Sequence, residues 1–486
     1  MLALLPWISG AWLALVGAEG CGPADSPPDE DGVATASRAS AITAPPFDMK
    51  AIADASTADC RFENEHTLIK NGVVLRAWNV SYVSWEWRAA EGGRPAGLQP
   101  IRIRAFAARP LAGTGRQPAV VQAHGLGGYA DENAATSSAA RLGMFVLAYT
   151  GPGGGTRADN TSEGKPASDR AGYRMFDTRE DVRGSWFWAH TTAGLRGLTC
   201  LAARTDVDGG RLGMTGFSAG GVATFLGAGA DTRIRAAVPV SGVLAWDEAT
   251  QSPTAWQHTL LSQAGLSTAS PEWTVLMRGL IGPAMALSGV RASLLALNGT
   301  TDEFFPLTAH MATLRGLPSG ADVRSSLVGN FDHGCYKVSG GEAASTIEAR
   351  AALHADGGQR AFFRHHLAAD AAYPAIPRAP VVAVATVAGA TQVVARVDRP
   401  AGLDVEDVRL YVSTDNNYLF ANTALSGSGG TYSVLVPGSL SAASSYFVDV
   451  QYRNRALLNP GRFTVSSEPV LAPGLVPRIR AINTCL

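Results

Sequence analysis

The sequence carries no excess of charge of either sign and, beyond its N-terminus, no long hydrophobic run. Its 486 residues include 40 basic and 41 acidic side chains, which gives a formal net charge of −1. A chain this neutral, without a basic stretch, lacks the electrostatic signature of a nucleic-acid-binding protein. No apolar run after the N-terminal segment is long enough to cross a bilayer as a helix. We therefore expect neither a nucleic-acid partner nor a helical membrane domain.

Cysteine is also scarce, and its spacing argues against a zinc site. The cysteines are Cys21, Cys60, Cys200, Cys335 and Cys485, and no C-x-x-C pair occurs. The sequence therefore predicts no metal site, and we expect no cofactor. In an exported protein, the four cysteines after Cys21 can form two disulfides, but the sequence does not indicate their pairing.

The N-terminus has the features of an export signal. Residues 1–20 are apolar and uncharged up to Glu19, and they end in small residues directly before Cys21. This arrangement resembles a bacterial lipoprotein signal, although its first residues lack Lys and Arg. We expect export to the bacterial cell envelope or secretion, with membrane anchoring through a lipidated Cys21. A plain signal peptide and the N-terminal helix of a cytosolic protein are the alternatives.

The rest of the chain divides by composition. Residues 21–56 are rich in proline and acidic residues, which predicts a disordered tether. Over 57–375, buried strands alternate with helices, which predicts an α/β domain with a mostly parallel sheet and helices on both faces. Short alternating strands over 378–470 predict an all-β immunoglobulin- or fibronectin-like sandwich, followed by a tail at 471–486.

The strongest chemical signal is a G-x-S-x-G motif centred on Ser218. It follows a strand-like run and opens a helical one, and this context predicts a nucleophile elbow. Glycines on both sides allow the sharp turn that presents the serine hydroxyl at the edge of the sheet. We therefore predict that Ser218 is the nucleophile.

A serine nucleophile needs a base, and the base needs an acid to orient it. Asp302 follows one buried strand and His333 follows the next, so both lie where parallel strands end. We predict that His333 is the base and Asp302 its orienting acid. Glu303 is the alternative acid, and Asp332 is interpreted as a carboxylate that caps its loop. The remaining histidines that we interpret as structural are His190, His258, His365 and His366.

An oxyanion hole requires two backbone N–H donors. One is expected to be the amide of Ala219, directly after the nucleophile. The second is expected from the glycine-rich run after the third strand, where the amide of Leu126 is preferred and that of Gly125 is the alternative. A second glycine-rich run at 151–155 is interpreted as an active-site turn.

Two further runs carry a family resemblance. Residues 181–185 read D-V-R-G-S before a long helix, and 211–221 read R-x-G-x-T-G-x-S-x-G-G. Together with the motifs above, they make residues 118–370 resemble the α/β-hydrolase superfamily, in its dienelactone hydrolase, acetyl xylan esterase and prolyl-oligopeptidase-like branch. Residues 298–306 and 330–333 are similar to PhoPQ-activated pathogenicity-related proteins. The resemblance implies a serine hydrolase, although Ser218 replaces the cysteine nucleophile of dienelactone hydrolases proper.

We therefore expect an exported serine hydrolase that cleaves carboxylic esters, with small acyl esters or an acylated carbohydrate as substrate. Residues 242–289 are expected to form a helical lid, in which Trp246 and Trp256 contact the substrate or pack its core. A prolyl-oligopeptidase-like peptidase is one alternative, although little chain precedes the first strand. A non-catalytic surface-binding lipoprotein is the other. The sequence does not indicate the oligomeric state.

Overall fold

The structure is a computed structural model that describes residues 46–112, 115–167, 173–252, 255–333, 342–415, 419–438, 440, 444–457 and 461–472. The predicted signal at 1–20, Cys21 and the tether up to residue 45 lie outside the described residues. The same holds for Cys335, Cys485 and the tail from 473 onward. Within the described ranges, no helix has the length and apolar character needed to cross a bilayer.

The strands are β1 Arg61–Lys70, β2 Val73–Arg88, β3 Gly97–Pro110, β4 Gln117–Ala123, β5 Phe145–Tyr149, β6 Val207–Phe217, β7 Ile234–Val240, β8 Ser293–Gly299, β9 Val323–Val328, β10 Val381–Val387, β11 Ala390–Arg396, β12 Leu403–Ser413, β13 Ala421–Ala424, β14 Ser426–Ser428, β15 Thr431–Val436, β16 Ser445–Asn454 and β17 Arg462–Ser466. The α-helices are α1 Met49–Ile52, α2 Glu132–Leu142, α3 Trp186–Ala202, α4 Ala219–Ala230, α5 Trp246–Ala249, α6 Trp256–Gln263, α7 Pro271–Leu276, α8 Pro283–Ala286, α9 Leu307–Arg315, α10 Ala344–Ala352 and α11 Gln359–His366. Short 3-10 helices cover Ala55–Thr57, Tyr173–Met175 and Val182–Gly184, and π-helical turns cover Met277–Ile281 and Leu353–Gly358.

One large sheet organises the molecule. Among the described residues, thirteen strands lie in the order β1-β2-β3-β5-β4-β6-β7-β8-β9-β17-β16-β12-β13. The central strands from β5 to β9 pair in parallel, whereas β1 to β3 and the C-terminal strands pair antiparallel. The prediction of a mostly parallel sheet is therefore wrong, and the sheet is mixed. A two-residue turn at Asn71 and Gly72, both with positive φ, returns β2 against β1 as a hairpin.

Helices cover both faces of the central sheet. Val121 on β4 packs in the apolar core shared with α3 and α4, and its neighbour Val120 packs in the core shared with α2 and α11. The same alternation holds at Leu294 and Leu295 on β8. Because successive side chains of a strand point to opposite faces, an apolar run in the middle of the sheet requires a helix layer on each side.

The first described residues pack against α3. Asp48 caps α1, and Phe47 stacks on Trp188 with the ring centroids 6.2 Å apart. The buried guanidinium of Arg196 donates hydrogen bonds to three main-chain carbonyls of this segment, those of Ala51, Ile52 and Asp54. The tether prediction is therefore wrong for residues 46–56. These residues include few large apolar side chains, but Arg196 of α3 donates hydrogen bonds to three of their main-chain carbonyls.

A disulfide joins Cys60 to Cys200, with the two Cα atoms 5.7 Å apart. It connects the segment just before β1 to α3 across 140 residues of sequence. This is a pairing that cysteine spacing alone did not indicate.

The segment between β7 and β8 folds as short helices, α5 to α8, around buried tryptophans. Trp246, Trp256 and Trp273 each keep at most 7% of their surface exposed, and their rings contact one another. The function of this segment as a lid stays a prediction.

The C-terminal strands form two sheets. Strands β12, β13, β16 and β17 extend the large sheet, and β10, β11, β14 and β15 form a separate one. Apolar residues from both sheets, including Val393, Val408 and Val450, share one core. The immunoglobulin- or fibronectin-like identity of this region stays a prediction. Strand β17 pairs with β9 at Ser466 and Ser325, so the large sheet continues past the predicted domain boundary.

Candidate active site

Ser218 lies in the sharp turn between β6 and α4. Its backbone has φ 60° and ψ −120°, a conformation that costs a non-glycine residue free energy. The flanking glycines are required by close approach. A Cβ on Gly216 would lie 2.5 Å from the carbonyl oxygen of Gly220, and one on Gly220 would lie 2.4 Å from that of Ala123. The local sequence therefore allows a strained turn that no larger residues could form.

The structure brings Ser218, His333 and Asp302 together. The Nε2 atom of His333 lies 2.8 Å from the Ser218 hydroxyl oxygen, and its Nδ1 atom lies 3.0 and 3.1 Å from the carboxylate oxygens of Asp302. Because a carboxylate only accepts hydrogen bonds, Nδ1 carries the proton and Nε2 is left to accept from the hydroxyl. The residues therefore form a continuous chain of hydrogen bonds.

Asp302 is held by its own loop as well as by the histidine. Its Oδ1 atom accepts hydrogen bonds from the backbone N–H groups of Phe304 at 3.0 Å and Phe305 at 2.8 Å. The side chain is completely buried. These contacts fix the carboxylate in the orientation that meets the imidazole.

The alternative acid occupies a different position. Glu303 accepts a hydrogen bond from the backbone N–H of His333 at 3.2 Å, while Asp302 meets the imidazole ring. Burial, followed by the charges of Asp332 and Asp302, raises the pKa of Glu303 to about 7. Asp332 is completely buried beside this group. The site therefore concentrates three carboxyl groups behind one histidine.

These carboxyl groups also act on the histidine. Burial alone would lower the pKa of His333, but the charge and hydrogen bond of Asp302, helped by Glu303 and Asp332, outweigh it. The pKa of His333 is therefore raised above its usual value of 6.5. Such an environment stabilises the imidazolium that forms when a base removes a proton.

Aromatic rings that the sequence analysis did not single out surround His333. Phe217 stacks on the imidazole at 4.8 Å between centroids, and Phe304 lies at 4.4 Å. Phe217 directly precedes the nucleophile in the sequence, and Phe304 lies in the acid loop. This proximity to predicted site residues is the sequence feature from which their position could have been inferred. Trp256 packs on Phe304 at 4.9 Å, one ring removed from the histidine.

Trp246 is buried inside the aromatic cluster of the segment between β7 and β8. It has no exposed surface, and its indole N–H donates to the carbonyl of Val243 at 3.1 Å. Its ring lies 6.0 Å from that of Trp256 between centroids, and its contact with substrate stays a prediction. This position corresponds to the alternative in which Trp246 packs the core of the segment.

The predicted oxyanion residues lie beside the nucleophile. Ala219 is the first residue of α4, where helix N–H groups have no partner within the helix. A Cβ on Gly125 would lie 3.1 Å from the Cβ of Ser218, which places this glycine-rich loop against the serine. Leu126 follows in the same loop and is half-buried.

His124 fixes that loop. Its Nε2 atom accepts the N–H of Gly151 at 2.7 Å, so Nδ1 carries the proton and donates to the carbonyl of Gly125 at 2.6 Å. Burial lowers the pKa of His124 to about 4, which keeps the ring neutral and both bonds intact. The turn at 151–155 is thus tied to the loop beside Ser218. Sequence analysis missed this role because it depends on the tautomer of a buried ring.

The histidines interpreted as structural do not take part in the hydrogen-bond chain of Ser218, His333 and Asp302. His258 and His365 bond to the carbonyls of Thr250 and Tyr373, and His190 is buried against Trp186. Across the part of the chain that the structure describes, no group of three or more His, Cys, Asp or Glu side chains is arranged to hold a metal ion.

Comparison with known proteins places this site in a family context. Residues 95–247 match the family model of acetyl xylan esterase (AXE1). This match includes the loop at Gly125 and the elbow at Ser218 and ends before Asp302 and His333. No curated protein sequence matches the chain.

Several solved structures are similar. Acetyl xylan esterase from Paenibacillus sp. R4 is 18% identical, with 65% of this chain and 92% of that chain covered and a TM-score of 0.47. Acetyl xylan esterase 1 from Thermoanaerobacterium sp. JW/SL YS485 is 17% identical, with 62% and 92% covered and a TM-score of 0.45. Acylaminoacyl peptidase from Pyrococcus horikoshii is 15% identical, with 65% and 57% covered and a TM-score of 0.41.

The conclusion rests on three findings. The central strands have the parallel order and helix layers of a wound α/β sheet, the serine lies in a strand–turn–helix elbow, and an esterase family model matches residues 95–247, which include β4 to β7 and this elbow. Together these findings support a carboxylic ester hydrolase of the α/β-hydrolase superfamily, with residues 95–247 similar to the acetyl xylan esterases.

Proposed function

We propose that the protein cleaves esters through an acyl-enzyme on Ser218. The hydroxyl oxygen attacks the ester carbonyl while Nε2 of His333 takes its proton, and Asp302 stabilises the imidazolium. The tetrahedral intermediate collapses, the alcohol leaves with the proton from His333, and the acyl group stays on the serine. A water molecule, deprotonated by the same nitrogen, then attacks the acyl-enzyme and releases the carboxylic acid.

The charge that develops on the carbonyl oxygen needs donors. We assign this role to the amide of Ala219 and to an amide of the loop at Gly125 and Leu126. Support comes from the start of α4, whose N-terminus carries partial positive charge, and from the close approach of Gly125 to Ser218.

One observation carries the proposal. The 2.8 Å contact from serine to imidazole continues as a 3.0 Å contact from imidazole to Asp302, and it starts from a serine held at φ 60°. A strained backbone persists only where the surrounding structure holds it, and such residues cluster at active sites. A buried serine, histidine and aspartate without a reaction to perform have no reason to maintain this strain.

For the substrate, we propose a small acyl group, acetyl first, on a carbohydrate such as xylan. The support is the acetyl xylan esterase family match, together with the aromatic rings of Phe217, Phe304 and Trp256 that crowd the histidine.

We further propose that the protein is exported and that Cys21 anchors it to the bacterial cell envelope through a lipid. The disulfide between Cys60 and Cys200 supports an oxidising location. The C-terminal strands are proposed to form an immunoglobulin- or fibronectin-like sandwich, supported by the two sheets that share a core.

The test compares Ser218→Ala with a matched serine variant. Ser241 also follows a central strand and also has a positive φ, of 44°, so Ser241→Ala controls for a buried serine at the same edge. Each protein is treated with a fluorophosphonate and assayed on acetyl esters, longer acyl esters, acetylated xylan and a peptide anilide.

We expect labelling and ester turnover in the wild type and in Ser241→Ala, and neither in Ser218→Ala. Equal labelling of Ser218→Ala and wild type would refute the nucleophile. Turnover of the anilide but not of the esters would replace the esterase by a peptidase. Preference for long acyl chains would overturn the substrate proposal alone.

A further inference from the structure

The C-terminal strands contact the loop that carries the histidine. Phe420, just before β13, is completely buried, and its main chain pairs with the side chain of Asn330. The carboxamide nitrogen donates to the Phe420 carbonyl at 2.9 Å, and the Phe420 N–H donates to the carboxamide oxygen at 2.7 Å. The Asn330 carboxamide thus both donates to and accepts from the main chain of a residue 90 positions away, as the backbone of a neighbouring strand would.

Asn330 also determines the course of its own loop. Its φ is 61°, in the left-handed region that asparagine tolerates better than most residues. Its backbone N–H donates to the hydroxyl of Thr300 at 2.9 Å, and the N–H of Thr301 donates to the carbonyl of Phe331 at 3.1 Å. Asn330 therefore lies where the acid loop and the histidine loop meet, three residues before His333.

A partly buried ion pair extends the contact. Asn330 donates a second hydrogen bond to Glu342 at 2.9 Å, and Asn422 of β13 donates to the same carboxylate at 3.0 Å. Arg350 pairs with Glu342 and donates to the carbonyl of Gly329 at 3.2 Å. Burial opposes ionisation of Glu342, but the hydrogen bonds from Arg350 and Asn330 outweigh it and lower its pKa, so the carboxylate stays charged.

Apolar packing supports the same junction. Leu307, Leu327, Tyr411, Phe420 and Phe447 form one buried cluster that joins α9 and β9 to the C-terminal strands. The Tyr411 ring stacks on Phe447 with centroids 4.8 Å apart and lies against Gly329, where a Cβ would be 2.4 Å from the ring. The backbone just before Asn330 is thus held from the side of the C-terminal region.

We propose that the C-terminal strands are part of the catalytic scaffold and that Asn330 is the positioning residue through which they hold His333 in line with Ser218. The inference rests on the proposed function, since it concerns the geometry of the same histidine. Asn330 does not contact the reacting atoms and acts only through the loop 329–333.

The geometry indicates how much this positioning matters. The imidazole is held by Asp302 and by the stacked rings, and the backbone N–H of His333 donates to Glu303. A displacement of about 1 Å in a catalytic group costs on the order of 100-fold in rate. A loop that loses its connection to Phe420 is therefore expected to lower kcat more than it raises KM.

The variant that removes the carboxamide contacts of Asn330 is Asn330→Gly. Glycine accepts the positive φ without strain, so the change removes the carboxamide while keeping the backbone conformation accessible. The matched control is Asn454→Ala on β16. Asn454 is also a buried asparagine that ties the C-terminal strands to the preceding chain, donating to the carbonyl of Ala372 at 2.7 Å.

Three quantities are measured on the full chain with an aryl acetate: kcat, KM and the midpoint of thermal unfolding. For Asn330→Gly we expect kcat to fall by about 100-fold, with KM changed by less than about threefold. For Asn454→Ala we expect a lower melting temperature and a kcat close to that of the wild type. A merely structural role for Asn330 predicts a lower melting temperature without the loss of kcat.

The pH dependence of kcat/KM gives a second readout. His333 faces the Ser218 hydroxyl and the carboxyl groups of Asp302, Glu303 and Asp332, and Asp302 holds its pKa up. If the loop loosens, the imidazole loses part of this contact, so the acidic limb of the profile moves to lower pH in Asn330→Gly. The limb stays in place in Asn454→Ala.

The outcomes separate this inference from the proposed function. A folded Asn330→Gly with wild-type kcat and an unmoved acidic limb would overturn the positioning role, even where Ser218→Ala is inactive. An active Ser218→Ala would instead refute the nucleophile and leave the Asn330 result to be interpreted on its own. If Asn330→Gly does not fold, Glu342→Gln provides the second variant, since it weakens the same junction without altering the histidine loop backbone. Wild-type kcat and pH profile in folded Glu342→Gln would then overturn the inference.

Discussion

The serine and the histidine reach the same edge of the sheet by different means. Ser218 is placed by its immediate neighbours, since β6 and α4 are central elements and the glycines beside it allow the turn. His333 follows β9, next to the point where the C-terminal strands join the sheet, and its loop is bonded to residues up to 90 positions away. One half of the site is encoded locally and the other depends on distant chain.

This difference predicts how the two halves respond to change. The serine turn lies in the segment matched by the esterase family model, whereas the acid and the histidine lie beyond it. The support of the histidine can be supplied by any element that packs against β9, and here the C-terminal strands supply it.

The largest expected effect comes from breaking the histidine side at its acid. Asp302→Asn removes the carboxylate that selects the Nδ1 proton and stabilises the imidazolium, so kcat is expected to fall by about 10⁴-fold. Steady-state kinetics on an aryl acetate measure this loss. Glu303→Gln is the matched control, and we expect it to retain most activity because Glu303 contacts the backbone of His333. A larger loss in Glu303→Gln than in Asp302→Asn would make Glu303 the orienting acid.

The second prediction concerns the disulfide that joins the segment before β1 to α3. The double substitution Cys60→Ser with Cys200→Ser opens a cross-link between residues 140 positions apart. We expect the free energy of unfolding to fall by about 2–5 kcal/mol, measured by denaturant titration. Below the transition, kcat should stay near the wild-type value because neither cysteine takes part in the hydrogen-bond chain of Ser218, His333 and Asp302. Reduced wild-type protein is the control, and a disulfide variant as stable as the oxidised wild type would contradict the expectation.

The smallest expected effect concerns how the ionisation of Glu303, beside His333, changes the stability of the protein with pH. The pKa of Glu303 is raised to about 7, so the folded protein binds this proton more tightly than the unfolded chain. The contribution of this group to stability is present below the unfolded pKa near 4.5 and is lost as the pH rises to about 7. Glu303→Gln should therefore gain roughly 1–3 kcal/mol over the wild type at pH 8 compared with pH 4. Thermal melts at both pH values test this, with the exposed Glu63→Gln as the control; equal melting shifts at both pH values would argue against it.

Much of the site is predictable from sequence because its signals are local. A strand, G-x-S-x-G and a helix specify the turn at Ser218, and Asp302 and His333 each follow a buried strand. The structure brings these three residues together. Periodicity also predicts the helix layers on both faces, because an apolar run such as Val120-Val121 has no polar side to expose.

Other features depend on partners that no local pattern reveals. The sheet is mixed because β1 to β3 and the C-terminal strands pair antiparallel. The alternation of apolar residues along a strand does not indicate the direction in which the strand pairs. Residues 46–56 are held by side chains of the distant helix α3, among them Arg196 and Trp188. Trp246 is a further example. A tryptophan is equally suited to packing inside an aromatic cluster and to contacting a ligand, so its residue type does not distinguish the two roles. Asn330 carries no motif, and its connection to Phe420 is visible only in three dimensions.

The pairing of β17 with β9 has a consequence for chain integrity. Without the C-terminal strands, β9 would be the edge strand of the sheet, and its free N–H and C=O groups would face solvent. The side chain of Ser466 additionally caps the N–H of Leu327 on that strand. Exposed edges recruit strands from other molecules and lead to aggregation. Truncation before β10 is therefore expected to give insoluble protein, and a shortened hydrolase would need charged residues or proline on β9 to remain in solution.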